Sequence, residues 1–314
     1  MKCWLLCLAA CATQTTNTLP NWHPAEATGC QIVPVTGGKF RHRGSRLAAK
    51  MGEPRHRGID VATSATVDQE LVAELGYTAA DKAIEDEDVE FSVCDANRWR
   101  VLGRVRTDND GRARLVLTGT ARLPVGLHQL FAAAADHHGA GFIAYVAPPN
   151  ASTFVTDIDG TLTASENGVV RAVILKADLD DQPGASAALR ALATTHQPIY
   201  LTARSHAYIE MTRSWLAAHG YPRGPILTAE HFTRPGKAFE HKRRMLAALA
   251  AAGITPLIAI GNRASDVRAY AAVPRVFVKL PGYADEVAPL LNEHVTTFTD
   301  YKELAGALTR TSAP

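Results

Sequence analysis

Long hydrophobic runs are missing from this sequence. The longest uninterrupted one, Cys3 to Ala12, falls well short of the roughly 18 residues that a membrane-spanning helix needs. Cysteine is scarce, five in 314 residues, which excludes a disulfide-rich scaffold. An excess of one charge is also absent. Lys and Arg number 33 and Asp and Glu 31, a formal net charge of +2, so the balance names no polyanionic partner and leaves only local basic clusters to consider. Glycine and proline, 23 and 17, are too few for a collagen-like or low-complexity chain. The remainder is ordinary globular composition, 46% hydrophobic. At roughly 150 residues per domain, the length favours two domains.

Three of the five cysteines, Cys3, Cys7 and Cys11, fall in the first eleven residues. Lys2 precedes an apolar run that ends in small residues, the layout of a secretory signal. Leu8-Ala9-Ala10-Cys11 resembles a bacterial lipobox. That resemblance implies cleavage before Cys11 and lipidation of its thiol, with two or more acyl chains giving stable anchoring. It implies a lipid-anchored protein of the bacterial cell envelope on the periplasmic face. Ala12 after the lipobox cysteine points by resemblance to the outer membrane. The alternative is a cytoplasmic protein with an apolar start. Export permits a disulfide between Cys30 and Cys94.

Residues 1–11 are thus read as a lipoprotein-type signal and 12–36, polar and without periodicity, as a flexible tether. Residues 37–147 are read as a mainly β domain. Its first part, Gly37 to Gly58, is basic and Gly-rich and reads best as solvated loop. Beyond it, short alternating runs are separated by turn signals. They are Val89–Val93, Trp99–Val105, Arg112–Leu117, Gly126–Ala134 and Gly141–Val146. Asp108-Asn-Asp-Gly111 is a turn favoured between paired strands. This spacing predicts a small β-sandwich. Pro148 and Pro149 make a stiff connection.

From Thr153, apolar strands alternate with helices, which predicts an α/β domain over 151–314 with a mostly parallel sheet. Asp157-Ile-Asp159-Gly-Thr161 stands where the first strand, Phe154–Ile158, runs out, the end at which such sheets bind ligands. Alternation puts Asp157 and Asp159 on one side. Two carboxylates so placed favour a cation, and oxygen ligands suit Mg²⁺. Leu201-Thr202-Ala-Arg204 follows the next strand and leads to a helix expected at Ser205, a favourable place for an anion. Lys242 lies on a later helix. Gly261-Asn-Arg-Ala-Ser-Asp266 follows the strand after that and adds a third carboxylate.

Taken in this order, the motifs resemble the haloacid dehalogenase superfamily of phosphohydrolases. The residues that carry the likeness are Asp157, Asp159, Thr161, Thr202, Lys242 and Asp266. Within the superfamily, the strings from Asp157 to Ser165, Tyr200 to Arg204, Arg223 to Leu227 and Gly261 to Arg263, with Asp266 and Tyr270, resemble the lipin-type phosphatidate phosphatases. The resemblance spans about Thr153 to Lys279. It implies a haloacid-dehalogenase-like Rossmannoid domain, preceded here by the β-sandwich-like one.

It also implies residue roles. Asp157 is the nucleophile that forms an aspartyl-phosphate, and Asp159 the general acid and base. Thr202 and Lys242 hold the phosphoryl oxygens. Asp157, the backbone carbonyl of Asp159, and Asp266 hold Mg²⁺. Lys237 competes with Lys242, which is preferred for its spacing to Gly261. Arg204 is read equally as a phosphate ligand or as a carboxylate partner. Asn262, Arg263 and Ser265 either orient Asp266 or cap the following helix. The basic cluster His241 to Arg244 reads as a solvated face before a lipid-facing one. The implied substrate is phosphatidate. The alternatives are a soluble phosphomonoester or phosphoprotein, and a phosphatidate-binding module without catalysis. No nucleic-acid partner is implied, and the oligomeric state is open.

Overall fold

Apolar alternation between Arg57 and Ala147 gives ten strands in the computed structural model. It describes residue 30 and residues 39–78, 82–135, 138–164, 179–230, 237–280 and 282–310. Cys11, Ser165 and nearly all of the expected tether lie outside the described residues. The strands are β1 (Arg57–Ile59), β2 (Val61–Ser64), β3 (Gln69–Glu74), β4 (Gly76–Tyr77), β5 (Lys82–Ala83), β6 (Asp88–Asp95), β7 (Arg98–Arg106), β8 (Arg112–Leu117), β9 (Gly126–Ala133) and β10 (Gly139–Ala147). Three of them form a sheet in the order β1-β3-β8, and five form another in the order β2-β10-β9-β6-β7. Leu71 and Leu117 of the first meet Phe91, Leu130 and Phe142 of the second in one buried core. This is the expected sandwich.

Two details differ from expectation. Asp108 to Gly111 does turn the chain, with Asp108 Oδ1 accepting from the backbone N–H groups of Asp110 and Arg112 and Gly111 at φ +75°. It joins strands of opposite sheets, however, which touch there through an isolated Thr107–Ala113 bridge. The basic stretch read as loop contains a helix, α1 (Arg43–Met51), as well as β1. Ser45 and Ala48 of α1 are buried, and Ala48 packs in the core with Phe40 and Tyr77. Cys30 and Cys94 form a disulfide with Cα atoms 6.0 Å apart.

The second half holds β11 (Thr153–Thr156), α2 (Ala185–Leu192), β12 (Gln197–Ser205), α3 (Ile209–Ala218), β13 (Ile226–Ala229), α4 (Ala238–Ala251), β14 (Ile258–Gly261), α5 (Ala264–Ala269), β15 (Arg275–Lys279), α6 (Ala284–Val287), β16 (Val295–Phe298) and α7 (Tyr301–Arg310). Among the described residues its six strands run parallel in the order β13-β12-β11-β14-β15-β16. Successive residues face opposite sides. Phe154, Tyr200 and Ile260 join one core with α2, α3 and α7, while Val155, Leu201 and Ala259 join another with α4 and α5. The strand expected to end at Thr202 continues through Ser205. A short 3-10 turn, His206–Tyr208, then precedes α3. The helix expected at Ser205 thus opens as this turn, with Ser205 Oγ accepting from Ala207 N, and becomes α-helical only at Ile209.

The two halves share β10. Phe142, Ala144 and Val146 point into the sandwich, whereas Ile143, Tyr145 and Ala147 pack into the two cores of the α/β half. Asp60, between β1 and β2, accepts from Ile226 N of the edge strand β13 at 2.9 Å, so a sandwich residue satisfies one outward backbone donor of that edge. No helix among the described residues is long and apolar enough to cross a membrane.

The disulfide spans 64 residues of sequence, so its removal frees a long loop in the unfolded chain. Cys94→Ser, or reduction of the native protein, is expected to cost about 2–4 kcal/mol, read as a lower midpoint in thermal unfolding.

Candidate active site

The carboxyl ends of β11, β12 and β14 converge on one buried cluster. Asp157 follows β11 and is held by its own N–H, which donates to Ile260 O of β14 at 2.9 Å. Its side chain is almost fully buried. Thr161 Oγ1 donates to Asp157 Oδ2 at 3.1 Å and also meets Asn262 Oδ1 at 3.2 Å. The turn that returns the chain from Asp159 to Thr161 places Gly160 at φ +75°, a left-handed conformation that favours glycine. Tyr301 of α7 fixes the same turn by donating its hydroxyl to Thr161 O.

Asp266 comes from the first turn of α5 and is 1% exposed. Its Oδ2 accepts from the backbone N–H groups of Asn262 and Arg263 at 3.0 and 3.1 Å, which satisfies donors at the helix start. The cap of α5 therefore comes from Asp266, and Ser265 lies inside the helix. Gly261 makes this approach possible, because a Cβ there would stand 2.5 Å from Asp266 Cβ.

Lys242 of α4 joins the two carboxylates. Its ammonium donates to Asp157 Oδ1 and to Asp266 Oδ1, and all three side chains are about 95% buried or more. Burial opposes its charge, yet Asp157 and Asp266 outweigh burial and hold it protonated well above the usual lysine range. Burial pushes Asp157 up to about 7 against the pull of Lys242, and Asp266 and Asp159 add to the rise. Lys237, the competitor, instead pairs with Glu240 at the surface.

Asp159 is turned differently. Its carboxylate is gripped by Arg204, with Nε 2.9 Å from Oδ2 and Nη2 2.8 Å from Oδ1, and Thr202 Oγ1 lies 3.4 Å from Oδ2. Arg204 is thus the carboxylate partner among the two readings left open. Thr202 is fully buried. His241, next to Lys242, is also buried and meets Thr202 O at 3.0 Å, so this part of the basic cluster is no solvated face. Burial lowers its pKa to about 4.

Among the described residues no group of three or more His, Cys, Asp or Glu side chains is gathered for a metal ion. The donors that do meet, Asp157 and Asp266, are oxygen-only, and two buried carboxylates face a single ammonium. That uncompensated negative charge, together with the raised Asp157, suits a hard cation. Cys11, the lipidation candidate, lies outside the described residues.

This arrangement defines the α/β half: a parallel sheet whose first strand is central and ends in two aspartates, with a threonine after the next strand, a helical lysine and a last aspartate. It is a parallel α/β fold with the haloacid-dehalogenase-like arrangement expected from the sequence, preceded by a β-sandwich. More particularly, residues 154–275 match the family model of the LNS2 domain of PITM 1-3, and residues 54–146 match that of the β-sandwich domain of PITM 1-3. No curated protein matches the chain. Among solved structures, a protein described as a beta-phosphoglucomutase from Thermotoga maritima is 12% identical, with 51% of this chain and 99% of that one covered and a TM-score of 0.37. An L-2-haloacid dehalogenase is 12% identical, with 51% and 100% covered and a TM-score of 0.34. A haloacid dehalogenase superfamily hydrolase from Geobacter sulfurreducens is 16% identical, with 52% and 100% covered and a TM-score of 0.35.

Two outcomes follow from these charges. An acid whose pKa rises on folding stabilises the fold less as pH climbs from the unfolded towards the folded value. Asp157, raised from 3.8 to about 7, therefore burdens the chelator-treated protein above pH 7. Asp157→Asn is expected to raise its melting temperature at pH 8 and to leave it nearly unchanged at pH 4. His241 behaves in the opposite sense, since its neutral form is favoured in the fold. Its contribution is full above pH 6.5 and is lost as pH falls towards 4, so His241→Gln should flatten that part of the stability profile.

Proposed function

We propose that this protein is a Mg²⁺-dependent phosphomonoester hydrolase that works through an aspartyl-phosphate on Asp157, with phosphatidate at a membrane surface as its substrate. The observation that carries this reading is the Lys242 ammonium shared by Asp157 and Asp266, beside Thr202 and Asp159 at adjoining strand ends. The match of residues 154–275 to an LNS2 domain supports the phosphohydrolase class.

In the forward step a carboxylate oxygen of Asp157 attacks phosphorus in line while the bond to the leaving alkoxide breaks, and Asp159 gives that alkoxide its proton. Asp159 then takes a proton from water as the water attacks phosphorus and releases Asp157. Lys242 and Thr202 present N–H and O–H donors to the phosphoryl oxygens, where charge spreads in the transition state. Asp157, the backbone carbonyl of Asp159, and Asp266 would hold Mg²⁺. When bound, the ion neutralises the facing negative charges of nucleophile and phosphate. Arg204 keeps the Asp159 carboxylate in place at the rim of the site.

The chain is further proposed to act in the cell envelope, anchored by acyl groups on Cys11. The Cys30–Cys94 disulfide supports this, since such bonds persist in oxidising compartments. Mass analysis of Cys11 in the native protein checks it.

Phosphate release from phosphatidate vesicles and from soluble phosphate esters is to be measured on the chain from residue 12, with Mg²⁺ or chelator. Mg²⁺-dependent release, higher on vesicles and reduced by a factor on the order of 10⁴ in Asp157→Asn, is expected. Equal release by wild type and Asp157→Asn sinks the mechanism. Turnover of soluble esters alone sinks the lipid substrate, and vesicle binding without turnover points to a binding module.

A further inference from the structure

Helix α3 carries two neighbouring residues that reach in different directions. Arg213 is 2% exposed and places Nη2 and Nη1 on Asp60 Oδ1 and Oδ2 at 2.9 and 3.0 Å. The same carboxylate accepts from Ile143 N of β10 at 2.8 Å and from Ile226 N of β13 at 2.9 Å. One side chain from the sandwich thus ties together α3, the edge of the catalytic sheet and the strand shared by both halves. Four donors on a carboxylate with no exposure leave it one arrangement, because any rotation strands a buried polar group.

Thr212, the residue before, is fully buried and accepts from Arg204 Nη1 at 2.9 Å. Arg204 uses its remaining edge, Nε and Nη2, to grip Asp159. A planar guanidinium held on one edge fixes where the other points. Arg204 is itself buried, so water cannot readily replace either contact.

We propose that Arg204 is a positioning residue for Asp159 and that the sandwich takes part in the positioning. Asp60 fixes Arg213 and with it α3, Thr212 on α3 fixes Arg204, and Arg204 sets where the Asp159 carboxyl stands beside Asp157. The inference rests on the reading of Asp159 as the proton donor to the leaving group. It assigns the β-sandwich a part in catalysis with no contact to substrate.

The test uses two esters on the chain from residue 12. An alkyl phosphate expels an alkoxide that needs a proton, whereas p-nitrophenyl phosphate expels a stable phenolate that hardly does. Displacing a catalytic group by about 1 Å costs on the order of 10²-fold. Thr212→Val is therefore expected to lose at least about tenfold in kcat on the alkyl ester and far less on the aryl ester. Thr212→Ser, which keeps the hydroxyl, is expected to restore the ratio. Asp60→Asn should change the ratio in the same direction.

Equal losses on both esters, or no rescue by Ser, overturn the proposal. A second measurement needs no turnover: melting temperatures of Thr212→Val, Asp159→Asn and the double variant. Coupled positions give non-additive shifts, and additive shifts overturn the relay. A wild-type chain that hydrolyses neither ester defeats the phosphatase reading, while this cycle still decides the geometry.

Discussion

The catalytic end of the molecule depends on one buried ammonium. Lys242 of α4 stands between Asp157, which follows β11, and Asp266, in the first turn of α5. Without it, two carboxylates would face each other out of water, a charge arrangement that proteins do not sustain unpaired. With it, the ends of β11 and β14 and the helix between them in sequence are drawn to one point. The same ammonium leaves one negative charge uncompensated. That imbalance is the physical reason to expect a cation at this place, while burial, with Asp266 and Asp159 adding to it, holds Asp157 above the usual carboxylate range.

Much of this was legible in the sequence, for an identifiable reason. Three of the site residues stand at or just beyond the ends of apolar strands in a parallel sheet, so the spacing of strands along the chain also places these motifs in space. Asp157, Thr202 and Asp266 were located that way, and the preference for Lys242 over Lys237 came from its distance to Gly261. Other features gave no such signal. The strand β16 and the helices α6 and α7 after Lys279 are partly polar, and Tyr301 carries no motif although its hydroxyl reaches Thr161 O. The role of Arg204 stayed undecided because it depends on which way the Asp159 side chain turns, a matter of rotamer and not of pattern.

Asp60 shows the limit most plainly. In sequence it is a lone polar residue between Ile59 and Val61, easily read as the end of a strand. Its partner Arg213 lies 153 residues away, and nothing local to either residue announces the other. A buried carboxylate with a full set of donors becomes visible only once the two halves are brought together. α1 illustrates the reverse case. Its charged residues suggested solvent on all sides, while Ser45 and Ala48 were enough to seat it against the sandwich.

Strand β10 carries a consequence for what counts as a unit in this chain. Its odd-numbered residues from Ile143 to Ala147 belong to the cores of one half and its even-numbered ones, from Phe142 to Val146, to the core of the other. The prolines at 148 and 149 mark a boundary along the chain, but β10 packs across it into both halves. Loosening either half strips apolar cover from the other, because β10 lends one face to each. A substitution that suits one face of β10 must therefore also keep the other face dry.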